Sequence, residues 1–169
     1  FVAVSTVFVS ASRVVLATGT GLLIGGGAIM INTKMHKAVY GLAEKLMDAD
    51  RKGHKDNFES LYAELQTLCT DNEKTDKDHP EQWETLADFT EDFDVALGLY
   101  EKALGKARDM NAKDYLSSIA FSMARLQVEL GQTDAAINNL ADAKVSANKI
   151  EDKELKAEID ELLESLQDR

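Results

Sequence analysis

Two patterns divide the chain. From Met35 onward, apolar side chains recur three and four positions apart with polar and charged ones between them, the period of an α-helix that buries one face. Val39, Leu42, Ala43, Leu46 and Met47 define a first helix, ended by Lys52-Gly53. Phe58, Leu61, Tyr62, Leu65 and Leu68 define a second, folding back on the first. A polar stretch, TDNEKTDKDHP, then closes on Pro80, the one proline, a residue suited to the first turn of a helix. The period continues to the last segment, EDKELKAEIDELLESLQ at 151–167. Its apolar face carries Leu155, Ile159, Leu162, Leu163 and Leu166, and its opposite face is acidic, as expected of the solvated cap of a helical stack. Ahead of Met35 the pattern is different. Residues 14–31 read VVLATGTGLLIGGGAIMI, without a charge and with five of the ten glycines.

That stretch admits three readings. A dinucleotide-binding turn needs G-x-G-x-x-G between a strand and a helix. Here Gly19, Gly21 and Gly25 are spaced G-x-G-x-x-x-G, with Ile24 in the third position. No Lys-Ser or Lys-Thr follows to make a phosphate loop. A membrane helix fits better. Eighteen residues make about 27 Å of helix, close to the ~30 Å hydrocarbon core. Arg13 precedes the run, and Asn32, Thr33, Lys34, His36 and Lys37 follow it. Glycine costs a helix about 1 kcal/mol in water, but lipid offers the backbone no other hydrogen-bond partner. Gly21 and Gly25 form a G-x-x-x-G pair that Ala17 extends, a face through which two such helices can self-associate. The third reading is a soluble helical regulatory subunit whose apolar N-terminus is buried in its own body or in a partner. Residues 1–12, rich in Val and Phe, suit a strand or an interfacial segment.

Charge is as uneven as hydropathy. Residues 1–37 hold no Asp or Glu, so all 30 acidic residues lie in 38–169, against 16 Lys and Arg, leaving that part at −14. Such a body has no clustered basic surface for nucleic acid. Lys34, Lys37 and Lys45 follow the apolar run and only Arg13 precedes it, a bias that places the body on the cytoplasmic side of a single span.

After Pro80 the chain repeats itself. WETLADF…DFDVALGLYEKAL is followed by IAFSMARLQVELGQTDAAINNLADAK. Ala96, Tyr100 and Ala103 match Ala136, Leu140 and Ala143 at a spacing of forty, and Leu86-Ala87 matches Met123-Ala124 at thirty-seven. The shorter spacing implies a tighter internal turn in the first copy. These residues, with Trp83 and with Gly131 at a turn, resemble the tetratricopeptide repeat, in which small side chains let two antiparallel helices approach closely. The resemblance covers 80–147. It departs from the family at Gln127, where an aromatic is usual, in the missing turn glycine of the first copy, and in the absence of a closing proline. It implies an all-α body of antiparallel helix pairs stacked as a short solenoid, here expected behind the single membrane-spanning helix read from residues 14–31. The expected divisions are 1–33 with the span, a helical pair at 34–79, two repeats at 80–147 and a cap at 148–169. It further implies a scaffold that binds a partner's peptide or helix in a groove lined by first helices, with Gln82, Thr85 and Asp88 in one repeat and Ser118, Arg125 and Glu129 in the next.

Catalytic chemistry is not apparent. His36, His54 and His79 lack metal-ligand spacing, and Cys69 is alone, so no internal disulfide forms. Asp71, Glu73 and Thr75 begin like an EF-hand loop, but Asp76 stands where its glycine belongs and Gln82 where its bidentate glutamate belongs. A non-enzymatic protein without cofactor or metal is therefore expected. The membrane reading has a direct test. In sealed, right-side-out vesicles the body of the full chain should resist added protease until detergent opens them; a body released to the soluble fraction without detergent would contradict the span.

Overall fold

The computed structural model describes residues 33–168. Among them every regular element is a helix, as the apolar period required. Helix α1, Thr33–Arg51, turns Met35, Val39, Leu42, Ala43, Leu46 and Ala49 inward. Its end is set by Gly53 at φ +67°. There Gly53 N donates to Asp50 O at 2.9 Å and His54 N to Ala49 O at 2.9 Å, satisfying carbonyls that the helix leaves open. Helix α2, Lys55–Asn72, returns along α1 and buries Leu61, Leu65 and Cys69.

Helix α3, Pro80–Asp88, starts with His79 as cap, its imidazole Nδ1 accepting from Glu81 N, and with Pro80 in the first turn. It is followed by α4, Phe93–Asp109, α5, Lys113–Glu129, α6, Thr133–Ala147, and α7, Lys153–Gln167. The same left-handed turn recurs after α4 at Asn111 (φ +52°) and after α5 at Gly131 (φ +70°). Ala112 N donates to Ala107 O, and Gln132 N to Gln127 O. Each helix packs on its sequence neighbour, α3 also touches α1, and α5 touches α3 and α7. α7 is capped by Asp152, whose carboxylate accepts from Leu155 N, and is tied to α6 by Lys144–Asp160 at 2.7 Å.

The paired small residues do what their spacing implies. Ala96, Tyr100 and Ala103 on α4 are buried, as are Ala136, Leu140 and Ala143 on α6. They let α4 lie close on α3 and α6 on α5. Trp83, Leu86, Ala87, Met123 and Ala124 are buried on the facing helices. The difference in internal spacing has another cause than the tighter turn expected. α3 stops at Asp88, one residue after Ala87, whereas α5 runs five residues beyond Ala124, and the connection in the first copy is the longer of the two. Thr90 sits just past this end. Its Oγ1 donates to Leu86 O at 2.7 Å and its N to Ala87 O at 3.0 Å, taking the carbonyls that another turn would use.

No helix among the described residues is long and apolar enough to cross a membrane. The stretch 14–31, with Ala17, Gly21 and Gly25, lies outside them. Close packing at the alanines has a measurable consequence. Ala143→Leu should destabilise the fold by about 1–3 kcal/mol through overpacking. Val145→Ala, at a side chain 60% exposed on the same helix, should change stability by no more than ~0.5 kcal/mol. Urea unfolding of both variants, followed by helical circular dichroism, checks the contrast.

Candidate functional site

Helix α3 is buried along its whole length, from Pro80 to Asp88, although Glu81, Gln82, Glu84, Thr85 and Asp88 are polar. Burial of such groups is tolerated where hydrogen bonds replace water. Three constellations supply several of those bonds.

The first centres on Asp78, just before the helix. Its Oδ1 accepts from Trp83 Nε1 at 2.8 Å and from Gln82 Nε2 at 3.3 Å; its Oδ2 accepts from Lys74 N and from Lys106 Nζ, both at 2.7 Å. Burial pushes the Asp78 carboxyl up, but the Lys106 ammonium, the indole N–H and the Lys74 amide outweigh it and hold the group below its ordinary value. Lys102 closes the cluster, with Nζ 3.5 Å from the Trp83 ring centroid and 2.7 Å from Glu73 Oε1, a favourable position for a cation over an indole. The loop carboxylates Glu73 and Asp78 are thus bound to protein donors. Among the described residues no group of three metal-binding side chains converges.

In the second constellation His36 Nδ1 lies 2.6 Å from Glu81 Oε1, and the His79 ring meets Tyr115 edge-on at 5.0 Å. Burial pushes the Glu81 carboxyl up, against the pull of His36. Burial, reinforced by the nearby His36, lowers His79 to about 4. The third constellation is a hydrogen bond from Tyr100 Oη to Asp88 Oδ1 at 2.6 Å. Complete burial raises the Asp88 carboxyl despite that bond and the nearby Arg125.

These contacts decide where the expected groove residues lie. Gln82 is fully enclosed, with Oε1 accepting from Asn72 Nδ2 at 2.9 Å. Thr85, Asp88 and Ser118 are also buried. Those four side chains, expected along a groove, are thus enclosed. Arg125 is half-buried, 5.8 Å from the Phe121 ring centroid, and Glu129 is exposed at the end of α5. Asp88 and Arg125 are brought within electrostatic reach. Gln127, the departure from the aromatic, accepts from Asn139 Nδ2 at 2.8 Å and so pairs α5 with α6. Cys69 is enclosed beside Gln82, its thiol donating to Gln82 O at 3.3 Å and pushed by burial to about 12, far from thiolate chemistry.

The open concave surface lies elsewhere. A cleft of about 310 Å³ separates the α1–α2 turn from the α3–α4 connection. Ala49, Phe58, Tyr62, Phe89 and Val95 give it apolar walls, and Asp50, Glu59, Glu91 and Asp92 stand around it with His54 and Lys55. Phe58 and Phe89 pack with ring centroids 6.2 Å apart, while Tyr62 Oη and Thr90 Oγ1 share a hydrogen bond of 2.8 Å. Thr90, just past the end of α3, thus joins one wall of the cleft to α2. Periodicity alone could not show this, since Phe89 and Thr90 lie past a helix end. A smaller recess, about 240 Å³, follows where α4, α5 and α6 meet, with Leu104, Leu116, Ala120 and Val145 in its lining.

Compared with protein-family models, with curated proteins and with solved structures, the chain matches none.

The lowered His79 carries a pH dependence. The fold keeps this imidazole neutral down to about 4, whereas the unfolded chain protonates it near ~6.5. Its contribution is complete above that value and is lost as pH falls toward 4, by up to about 3 kcal/mol. His79→Ser, which retains a capping oxygen, should show a shallower loss of stability over that interval than the parent chain. Equal slopes in denaturant titrations across the interval would contradict the assignment.

Proposed function

We propose that the chain is a protein-binding adaptor: a short tetratricopeptide-like stack of helix pairs that receives a partner segment in the cleft between its first two pairs. Val14–Ile31 would hold this stack at a membrane, with the body on the cytoplasmic side. The observation that carries the reading is the cleft itself. Its walls come from successive pairs, and it opens where two of the three exposed large apolar side chains among the described residues, Phe93 and Val95, begin α4. Exposed apolar surface gathered at a concavity is a feature of binding sites. The repeat reading draws support from the two sets of buried small residues on α4 and α6 and from the forty-residue spacing between them. The membrane reading draws on the uncharged length of 14–31 and on its basic flank. Anchoring would raise the effective concentration of the cleft for partners in the same membrane.

Photo-cross-linking in cells tests the binding site. A benzophenone amino acid at Val95 of the full chain should give one reproducible covalent adduct with a second polypeptide. The same group at exposed Glu161 on α7 should not. Adducts of equal yield and identity from both positions would overturn the assignment of the cleft.

A further inference from the structure

The cleft also specifies the chemistry of its occupant. Building on the adaptor reading, we infer that it takes a basic segment of a partner protein: a large apolar side chain in the pocket, flanked by Lys or Arg.

Size and polarity select the anchor. Phe58, Tyr62, Phe89 and Val95 enclose a volume suited to a bulky apolar side chain, and Val95 is 52% exposed. Removing that surface from water favours an aromatic or branched aliphatic group. Charge selects the flanks. Four carboxylates line the cleft against one lysine. That lysine, Lys55, is 3.9 Å from Glu59 with both side chains well exposed, a contact too loose and solvated to cancel either charge. Asp50 and Glu91 have no ion-pair partner among the described residues. The nearby Arg51 and Lys52 are both drawn to Asp48, at 2.6 and 2.7 Å, and do not line the cleft.

The starts of α2 and α4 act in the opposite sense, since helix N-termini favour anions. They are already answered. Asp92 Oδ1 accepts from Asp94 N and Val95 N, and Asp56 stands in the first turn of α2. Asp50, Glu59 and Glu91 remain as a surplus of negative charge beside apolar walls, which attracts cationic groups and repels acidic ones. A polypeptide fits this arrangement better than a compact small amine. Phe93, 36% exposed at the start of α4, extends the apolar surface beyond the cleft lining, where a second residue of a chain can reach it.

The test uses the full chain in detergent micelles and two fluorescein-labelled peptides, Gly-Lys-Arg-Trp-Leu-Lys-Arg-Gly and its charge-inverted form Gly-Glu-Asp-Trp-Leu-Glu-Asp-Gly. Fluorescence anisotropy should show the basic peptide binding at least ~10-fold tighter at low salt. Glu59→Lys/Glu91→Lys should abolish that preference, whereas Glu161→Lys/Glu164→Lys on α7, with the same change in net charge, should alter it by no more than about twofold. Val95→Ser should weaken binding several-fold, as truncating a central apolar contact does. All substituted positions are exposed, and an unchanged unfolding midpoint verifies the fold of each variant. Equal or tighter binding of the acidic peptide, still sensitive to Val95→Ser, would overturn the basic occupant and leave the adaptor reading intact. Binding of the basic peptide that ignores both Val95→Ser and the Glu59/Glu91 pair would remove the cleft as its site and the adaptor reading with it. Failure of the basic peptide to bind would overturn the basic occupant, and the Val95 cross-link then decides the adaptor reading separately.

Discussion

Burying a polar helix is the constraint on which this architecture depends. α3 has only nine residues, too few to be stable alone in water, and it is enclosed from end to end. Its hydrophobic payment comes from Trp83, Leu86 and Ala87, but Gln82 and Asp88 must lose water at the same time. They do so because partners arrive from other elements: Asn72 at the end of α2, Asp78 in the loop, and Tyr100 from α4. A buried hydrogen bond contributes only about 1 kcal/mol net, whereas an abandoned partner costs more. These contacts therefore act chiefly as a specification. α2, α4 and the loop have to sit where α3 needs them.

The rest of the arrangement follows from that position. Lys106 and Lys102 reach from α4 to Asp78 and Glu73, tying the second helix of the pair to the loop that opens the first. Alanines on α4 and α6 then permit close stacking. α3 ends early, and Tyr62 of α2 meets the connection that follows it through Thr90. The resulting gap between helix pairs is the cleft. Its shape is a by-product of terminating one helix a turn sooner than its counterpart.

Much of the helical framework was legible in the chain. Apolar residues on one face mark α1, α2 and α7, and Gly53 and Gly131 mark reversals because a left-handed turn suits them. Asn111 serves the same purpose less conspicuously. The repeat spacing located the small residues that prove to be buried. The surroundings of α3 were not legible. Polar Gln82, Thr85 and Asp88 look like an open face by periodicity, but they are interior because their neighbours lie elsewhere in the sequence. Lys106, for example, is twenty-eight residues from Asp78. The cleft was hidden for a related reason. Two of its walls, Phe89 and Thr90, lie in a connection, where hydrophobic period carries no information.

Native-state hydrogen exchange on the full chain tests the central claim most directly. If α3 is the enclosed element that positions its neighbours, the amides of Glu81–Asp88 should be among the last to exchange. Their opening free energy should equal that of global unfolding, alongside the buried stretches of α4 and α5. Exchange of α3 by a separate, cheaper opening while α4 and α5 stay protected would contradict the account. It would show α3 to be a passenger in the fold, with the cleft beside it free to change shape.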